Sequence, residues 1–377
     1  MHKLKKEYLF ICITQLQLIT LLNILDTKME RGEDFLCDLV MVSDGRVGFE
    51  KLKDQCEKLN IFRKVIILYP LQAYHLKRLL DNDFDYANIS FLQRLFCTPK
   101  ILRKFFAHWL LYKKLFFKNY TDVYFYGLSF WLDQIFNYIS SVAKIHLIDE
   151  GIGTYTASNF LTRRIDFVHV YEPNLVCINQ LSKNKVIKLK KISLSRERLV
   201  TWLKSLFDTN TKTFSGEVFF DQPLERMVSC DEHRQCIWEV KETILRHFIN
   251  SSDSSKVVRV HPWTSKESRS RLKKLLNQYY FDNSLAVPFE MEMLFGRTTP
   301  SALHTISSGG VLYCLFMFDS AVLENSKKYI YYPWFYQLLR QYNLPNQMNL
   351  KEFFLKVQAM YPAQVVFVDY PQTLLQR

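Results

Sequence analysis

A chain of 377 residues with 48% hydrophobic content is longer than one core usually serves, so two domains are expected. Its 30 Phe, 21 Tyr and 6 Trp against 10 Gly exclude a disordered or collagen-like chain, and no internal repeat is found. A formal charge of +13 bears on association rather than on fold; without an RNP, zinc-finger or helix-turn-helix signature, nucleic acid is disfavoured as a partner.

The N-terminus imitates a signal peptide or membrane anchor, because Lys3, Lys5 and Lys6 precede a largely apolar run from Tyr8 to Leu25. Thr14, Gln15, Gln17, Thr20 and Asn23 interrupt that run, and no small-residue cleavage site follows it. The pattern predicts a buried strand, Tyr8 to Ile13, turning into a helix from about Gln15. Further apolar runs at Leu36 to Val42, Lys64 to Leu68, Asp122 to Tyr126 and Ile145 to Ile148 read as parallel strands with helical patterns between them. Asp81, Asp83 and Asp85 have the spacing of a metal-binding acidic motif but follow a helix-like stretch, so they read as an exposed loop and no metal site is expected. Lys100, Arg103, Lys104, Lys113, Lys114 and Lys118 lie among Phe105, Phe106, Trp109, Phe116 and Phe117. A basic, aromatic helix of this kind can be packed with a solvated charged face, lie on an anionic membrane surface, or face a polyanionic substrate. No other stretch approaches a membrane span.

Beyond Phe167 to Val170 the apolar period is poor between Asn184 and Arg198. A second alternation then begins, with strands at Glu217 to Phe220, Val257 to Val260, Ser284 to Val287, His304 to Ile306, Ala321 to Leu323 and Gln364 to Val368, and helices at Ile237 to Phe248 and Ser268 to Tyr279. The expected fold is therefore α/β, with two Rossmann-like domains, residues 1–180 and 181–377, facing a central cleft. Eight scattered cysteines (12, 37, 56, 97, 177, 230, 236, 314) lack metal-site spacing and fit free thiols in a reducing compartment.

Ligands of open parallel sheets bind beyond the carboxyl ends of strands, so chemistry is sought there. Asp149, Glu150 and Gly151 close the run to Ile148, with Gly153 and Tyr155 after them; the acids could serve a substrate hydroxyl as base, or simply cap a turn. Arg259 lies in the candidate strand Val257 to Val260, and His261 and Pro262 follow it; the imidazole could meet a leaving phosphate, or be a capped structural histidine. Ser307, Ser308, Gly309 and Gly310 open what reads as a helix, an arrangement suited to a phosphate and also to a plain turn. Glu290, after Pro288, is placed to accept hydrogen bonds from ribose hydroxyls.

The order of these motifs, Asp149-Glu150-Gly151, His261-Pro262 and Ser307-Ser308, resembles the bacterial sialyltransferases of the lipo-oligosaccharide and polysialyltransferase type. Tyr8-Leu9-Phe10-Ile11-Cys12-Ile13, Phe219-Phe220-Asp221-Gln222-Pro223-Leu224 and Pro288-Phe289-Glu290 are similar to further segments of that family, so the resemblance spans most of the chain. It implies a GT-B fold and an inverting, metal-independent transfer with no cofactor, in which sialic acid passes from CMP-sialic acid to a glycan acceptor, lipo-oligosaccharide or capsule polysaccharide. By the same resemblance Glu150 would be the general base with Asp149 orienting it, and His261 the general acid. Ser307, Ser308, Gly309, Glu290, Pro262 and Arg259 would bind the donor, and Gly151 and Tyr155 would lie on the acceptor side. The second acid is Glu where many relatives have Asp, which lengthens its reach. A cytoplasmic protein is expected, peripheral on the inner membrane if the basic helix docks there, with a homodimer among the options. The competing expectations are a GT-B enzyme with a hexosyl donor and a non-catalytic peripheral component of an envelope-polymer assembly complex.

Overall fold

The computed structural model describes residues 5–42, 49–68, 120–126, 143–156, 165–177, 185–207, 215–228, 230–251, 254–261, 264–282, 288–296, 299–319, 326–341 and 347–368. The acidic stretch 81–85, the basic aromatic stretch 100–118, and the strands expected at 284–287 and 321–323 lie outside the described residues, as do Cys97 and Pro262.

The first sheet holds β1 (Lys6–Cys12), β2 (Phe35–Val42), β3 (Lys64–Leu68), β4 (Asp122–Phe125), β5 (Lys144–Ile148), β6 (Phe167–Val170) and β7 (Val186–Lys188), in the order β3-β2-β1-β4-β5-β6-β7. Tyr8 to Cys12 are wholly buried, as a central parallel strand covered on both faces must be. Helix α1 (Gln15–Glu30) starts where the sequence places it, and side-chain capping explains why: the N-cap Thr14 hydroxyl accepts from the Gln17 amide at 3.2 Å, while the Gln17 side chain accepts from the amide of Ile13, just before the cap, at 2.6 Å. It ends in a left-handed Gly32, φ +68°, with the Glu33 amide returned to the Lys28 carbonyl. An aromatic ladder crosses the sheet: Phe10 stacks on Tyr124 at 4.7 Å, Tyr124 on His146 at 4.2 Å, and His146 on Phe167 at 4.9 Å. Helix α2 (Phe49–Lys58) covers β3 through Phe49, Leu52 and Cys56.

Next come α3 (Ile152–Thr156) and α4 (Glu197–Leu206), followed by the second sheet. Its strands are β8 (Glu217–Phe220), β9 (Lys256–Val260), β10 (Tyr280–Asp282), β11 (Ala302–Thr305), β12 (Lys327–Ile330) and β13 (Val365–Phe367), ordered β10-β9-β8-β11-β12-β13. Helices α5 (Asp231–Asn250), α6 (Lys266–Leu276), α7 (Phe289–Phe295), α8 (Gly309–Met317), α9 (Tyr332–Gln341) and α10 (Gln347–Met360) connect or follow these strands. From β3 through β2, β1 and β4 to β5, and throughout the second sheet, neighbouring strands are parallel, which is the doubly wound α/β class the alternation predicts. Among the described residues no helix is long and apolar enough to cross a membrane.

The chain divides into two compact units, and they do not part at residue 180. Residues 149–162 and 169–377, with the turn Leu22–Asp26 of α1, form the second unit. The polar interruptions of α1 explain that turn's allegiance: Asn23 donates to the Tyr171 hydroxyl and the Lys190 carbonyl, and Asp26 holds both Arg196 and Arg198 at 2.5–2.6 Å. Seven described cysteines are free thiols, five of them buried.

Candidate active site

In the second sheet the chain runs from β8 outward to β9 and β10, then returns to the other side of β8 to lay down β11, β12 and β13. The switch in direction lies between β8 and β11, whose ends are in register at Phe220 and Thr305. Such a switch opens a crevice at the carboxyl edge, and the residues that follow these strands are the ones the sequence singles out. Thr305 shapes the exit: its hydroxyl donates to the Phe220 carbonyl at 3.3 Å and accepts from the Ser308 amide at 2.8 Å. Ser308 is the N-cap of α8, yet its side chain makes no cap hydrogen bond. Ser308 is buried and Ser307 half-buried beside it.

The acidic loop meets this helix start. A Cβ placed on Gly309 would lie 3.7 Å from the Gly151 Cα and 3.7 Å from the Ile152 nitrogen. Gly151 itself adopts φ +149°, a conformation side chains other than hydrogen rarely take. On the opposite flank, a Cβ on Gly310 would lie 3.6 Å from the Glu290 carboxylate and 3.6 Å from the Ser308 hydroxyl. Gly151, Ser308, Gly309, Gly310 and Glu290 thus form one cluster around the N-terminus of α8. Burial pushes the Glu290 carboxyl above its ordinary range, opposed by its own helix backbone and by Arg259.

Within the acid pair the two carboxylates have different fates. Asp149 is fully buried; its Oδ2 accepts the Tyr155 hydroxyl at 2.5 Å and the Tyr171 amide at 3.1 Å. Tyr155 is equally buried, against Phe316 and Phe353. An acceptor-side role by direct contact does not fit a fully buried ring; what Tyr155 does here is hold Asp149, and its packing among residues of the second unit is why the acidic loop belongs there. Glu150 is half-buried, with its amide on the Thr154 hydroxyl at 3.0 Å. The pair therefore divides into an interior anchor and a more accessible carboxylate.

Burial raises the Asp149 carboxyl to about 7, against the pull of Tyr155, the Tyr171 and Gly151 amides and Thr154. A folded-state pKa above the unfolded one stabilises the protein below about pH 4 and loses that contribution as pH rises toward 7. The loss is roughly 4 kcal/mol at most, at 1.36 kcal/mol for each tenfold change in proton affinity. Asp149→Asn, which keeps an oxygen to accept both bonds, is expected to remove this slope: in urea denaturation it gains stability relative to the native chain at pH 8 but not at pH 4. An equal difference at both pH values would show that Asp149 is not the group responsible.

His261 follows β9 in a turn held by its own carbonyl, which accepts from the Thr264 amide at 3.0 Å and the Arg269 guanidinium at 3.3 Å. Its side chain is half-buried, not sealed in an apolar interior. Arg259, two residues earlier, is 3% exposed and forks onto Glu292 at 2.6 and 2.9 Å, so its charge is balanced inside the protein and does not stand open to a donor phosphate.

The sequence reading missed a buried cluster beside the same edge. Lys241, from the middle of α5, meets Asp221 at 2.7 Å, the Gln222 carbonyl at 2.9 Å and Glu225 at 3.4 Å. Asp221 follows β8 directly, in the segment Phe219 to Leu224 already singled out; nothing in the amphipathic pattern of α5 marks Lys241 as interior. A cavity of about 550 Å³ lies between α5 and α6, lined by residues including Trp238, Arg234, Arg271 and Ser265. None of the described candidate residues lines it, and both of its arginines already have partners, Arg234 with Asp231 and Arg271 with Gln235 and the Trp238 ring. Gly151, Ser308, Gly309, Gly310 and Glu290 gather instead at the start of α8. Among the described residues no group of three or more His, Cys, Asp or Glu side chains is arranged to hold a metal ion.

No protein-family model matches the chain, and no curated protein matches it. Solved structures give low-level likenesses. A UDP-GlcNAc 2-epimerase from Neisseria meningitidis bound to UDP-GlcNAc is 12% identical, covers 98% of this chain and 100% of its own, and has a TM-score of 0.49. A sialyltransferase from Photobacterium damsela is 10% identical over 97% of this chain and 82% of its own, with a TM-score of 0.44. An E. coli heptosyltransferase with ADP is 14% identical over 86% of each chain, with a TM-score of 0.36. Likeness at this level concerns the course of the chain and carries no chemistry.

Proposed function

We propose that this protein is a nucleotide-sugar glycosyltransferase of GT-B type, and within that class a sialyltransferase using CMP-sialic acid. One observation carries the reading: the loop bearing Glu150 packs on the start of α8, where Ser308, Gly309, Gly310 and Glu290 gather at the switch point of the second sheet. A helix start offers unpaired amides and a positive dipole end to a phosphate. The Ser307 and Ser308 hydroxyls would add donors, and Glu290 would accept from the ribose. Glu150 would take the proton from the acceptor hydroxyl as it attacks the anomeric carbon from the face opposite the departing phosphate, which gives inversion. His261 would donate to the leaving CMP. Charge develops on that phosphate, so preorganised donors there contribute most to lowering the barrier. The acceptor would be a surface glycan, lipo-oligosaccharide or capsule, and the free thiols favour a reducing compartment.

Purified protein is expected to release CMP from CMP-sialic acid when a galactose-terminated or sialylated acceptor is added, and to leave UDP-hexoses intact. Turnover of a UDP-sugar instead would move the donor to a hexose; absence of nucleotide affinity altogether would favour the non-catalytic reading.

A further inference from the structure

The Arg259–Glu292 fork serves no step of the proposed transfer, yet it joins two segments that do. Arg259 precedes His261 by two residues on β9, and Glu292 follows Glu290 by two residues on α7. Both side chains are almost wholly buried, at 3% and 8%. A guanidinium held at 2.6 and 2.9 Å by two carboxylate oxygens fixes orientation as well as distance, which a single bond or a lysine does not. The rings of Phe289 and Phe220, 5.1 and 5.9 Å from the guanidinium carbon and 4.5 Å from one another, confine it further. Removing two charges from water costs about as much as their attraction returns, so a buried pair adds little net stability. What it supplies is a single arrangement of the two elements.

Resting on the function proposed above, we infer that Glu292 is a positioning residue: through Arg259 it locks α7 to β9, so that the carboxylate of Glu290 and the turn carrying His261 keep one register against the start of α8. The donor is then bound by a preassembled set rather than by elements that must find their places on each encounter.

Three variants separate this role from a purely structural one. Glu292→Gln breaks the fork and leaves a buried charge; it is expected to raise the KM for CMP-sialic acid at least tenfold, with a smaller change in kcat and a lowered Tm. The double variant Arg259→Met/Glu292→Met removes both charges and is expected to regain most of the Tm while its KM stays raised. Arg259→Lys keeps the charge without the fork and is expected to raise KM likewise, which preserves the test should the double variant not fold. A double variant or an Arg259→Lys protein with native KM overturns the inference while leaving the transferase reading intact. A native protein that neither binds nor turns over CMP-sialic acid overturns that reading and this inference with it.

Discussion

Glu150→Gln is expected to lower turnover of CMP-sialic acid by roughly 10²- to 10⁴-fold, the range a positioned general base contributes. The substitution is close to isosteric and leaves the bond from the residue's backbone amide to Thr154 in place. Asp149 cannot take over as base, because it lies fully buried beneath Tyr155 and Tyr171. The loss should therefore fall on kcat, with donor affinity and Tm near native. Near-normal turnover in a folded Glu150→Gln protein would remove this carboxylate from the reaction.

His261→Ala is expected to cost roughly 10²- to 10³-fold in rate, the loss seen when one preorganised donor to a developing anion is deleted. The turn around His261 is held by its carbonyl, which accepts from Thr264 and Arg269, and truncating the ring leaves those bonds in place. Its effect should be separable from that of Glu150: without the histidine the leaving group lacks its donor, so a donor carrying a better leaving group would recover more of the lost rate than it does in Glu150→Gln. An equal response of both variants, or native turnover in His261→Ala, would contradict the assignment.

The fold was legible wherever burial and periodicity agree. Lys64–Leu68, Phe167–Val170 and Glu217–Phe220 are strands with the expected bounds; in the last two, three consecutive buried residues leave little ambiguity, and in Lys64–Leu68 the run Val65 to Leu68 is apolar throughout. Three strands were not read. Val186–Lys188 and Tyr280–Asp282 are three-residue edge strands, too short to show a period. Lys327–Ile330 begins with two lysines, and Lys328 is buried in the sheet with its ammonium on the Ser326 carbonyl at 2.5 Å. A buried lysine looks like a surface one in sequence.

The candidate site was partly legible for the same reason. Strand ends announce themselves, and Asp149, His261 and Ser308 do sit just beyond the ends of β5, β9 and β11. Their partners were not legible. Arg259 looked like a phosphate ligand because sequence shows a charge and hides the carboxylate that balances it, here Glu292, 33 residues on. Tyr155 looked like an acceptor contact until its hydroxyl proved to hold Asp149. Lys241 reads as one more charge on a mixed helix, although it is interior and neutralises Asp221. Tertiary pairing decides all three, and no local pattern encodes it.

The most direct measurement is a crystal structure of the protein with CMP. The nucleotide phosphate is expected at the start of α8, with its oxygens about 2.7–3.2 Å from the Ser307 or Ser308 hydroxyls or the first amides of that helix, and the ribose on Glu290. A nucleotide bound instead in the cavity beside Trp238 and Arg271, with the start of α8 left untouched, would contradict the account.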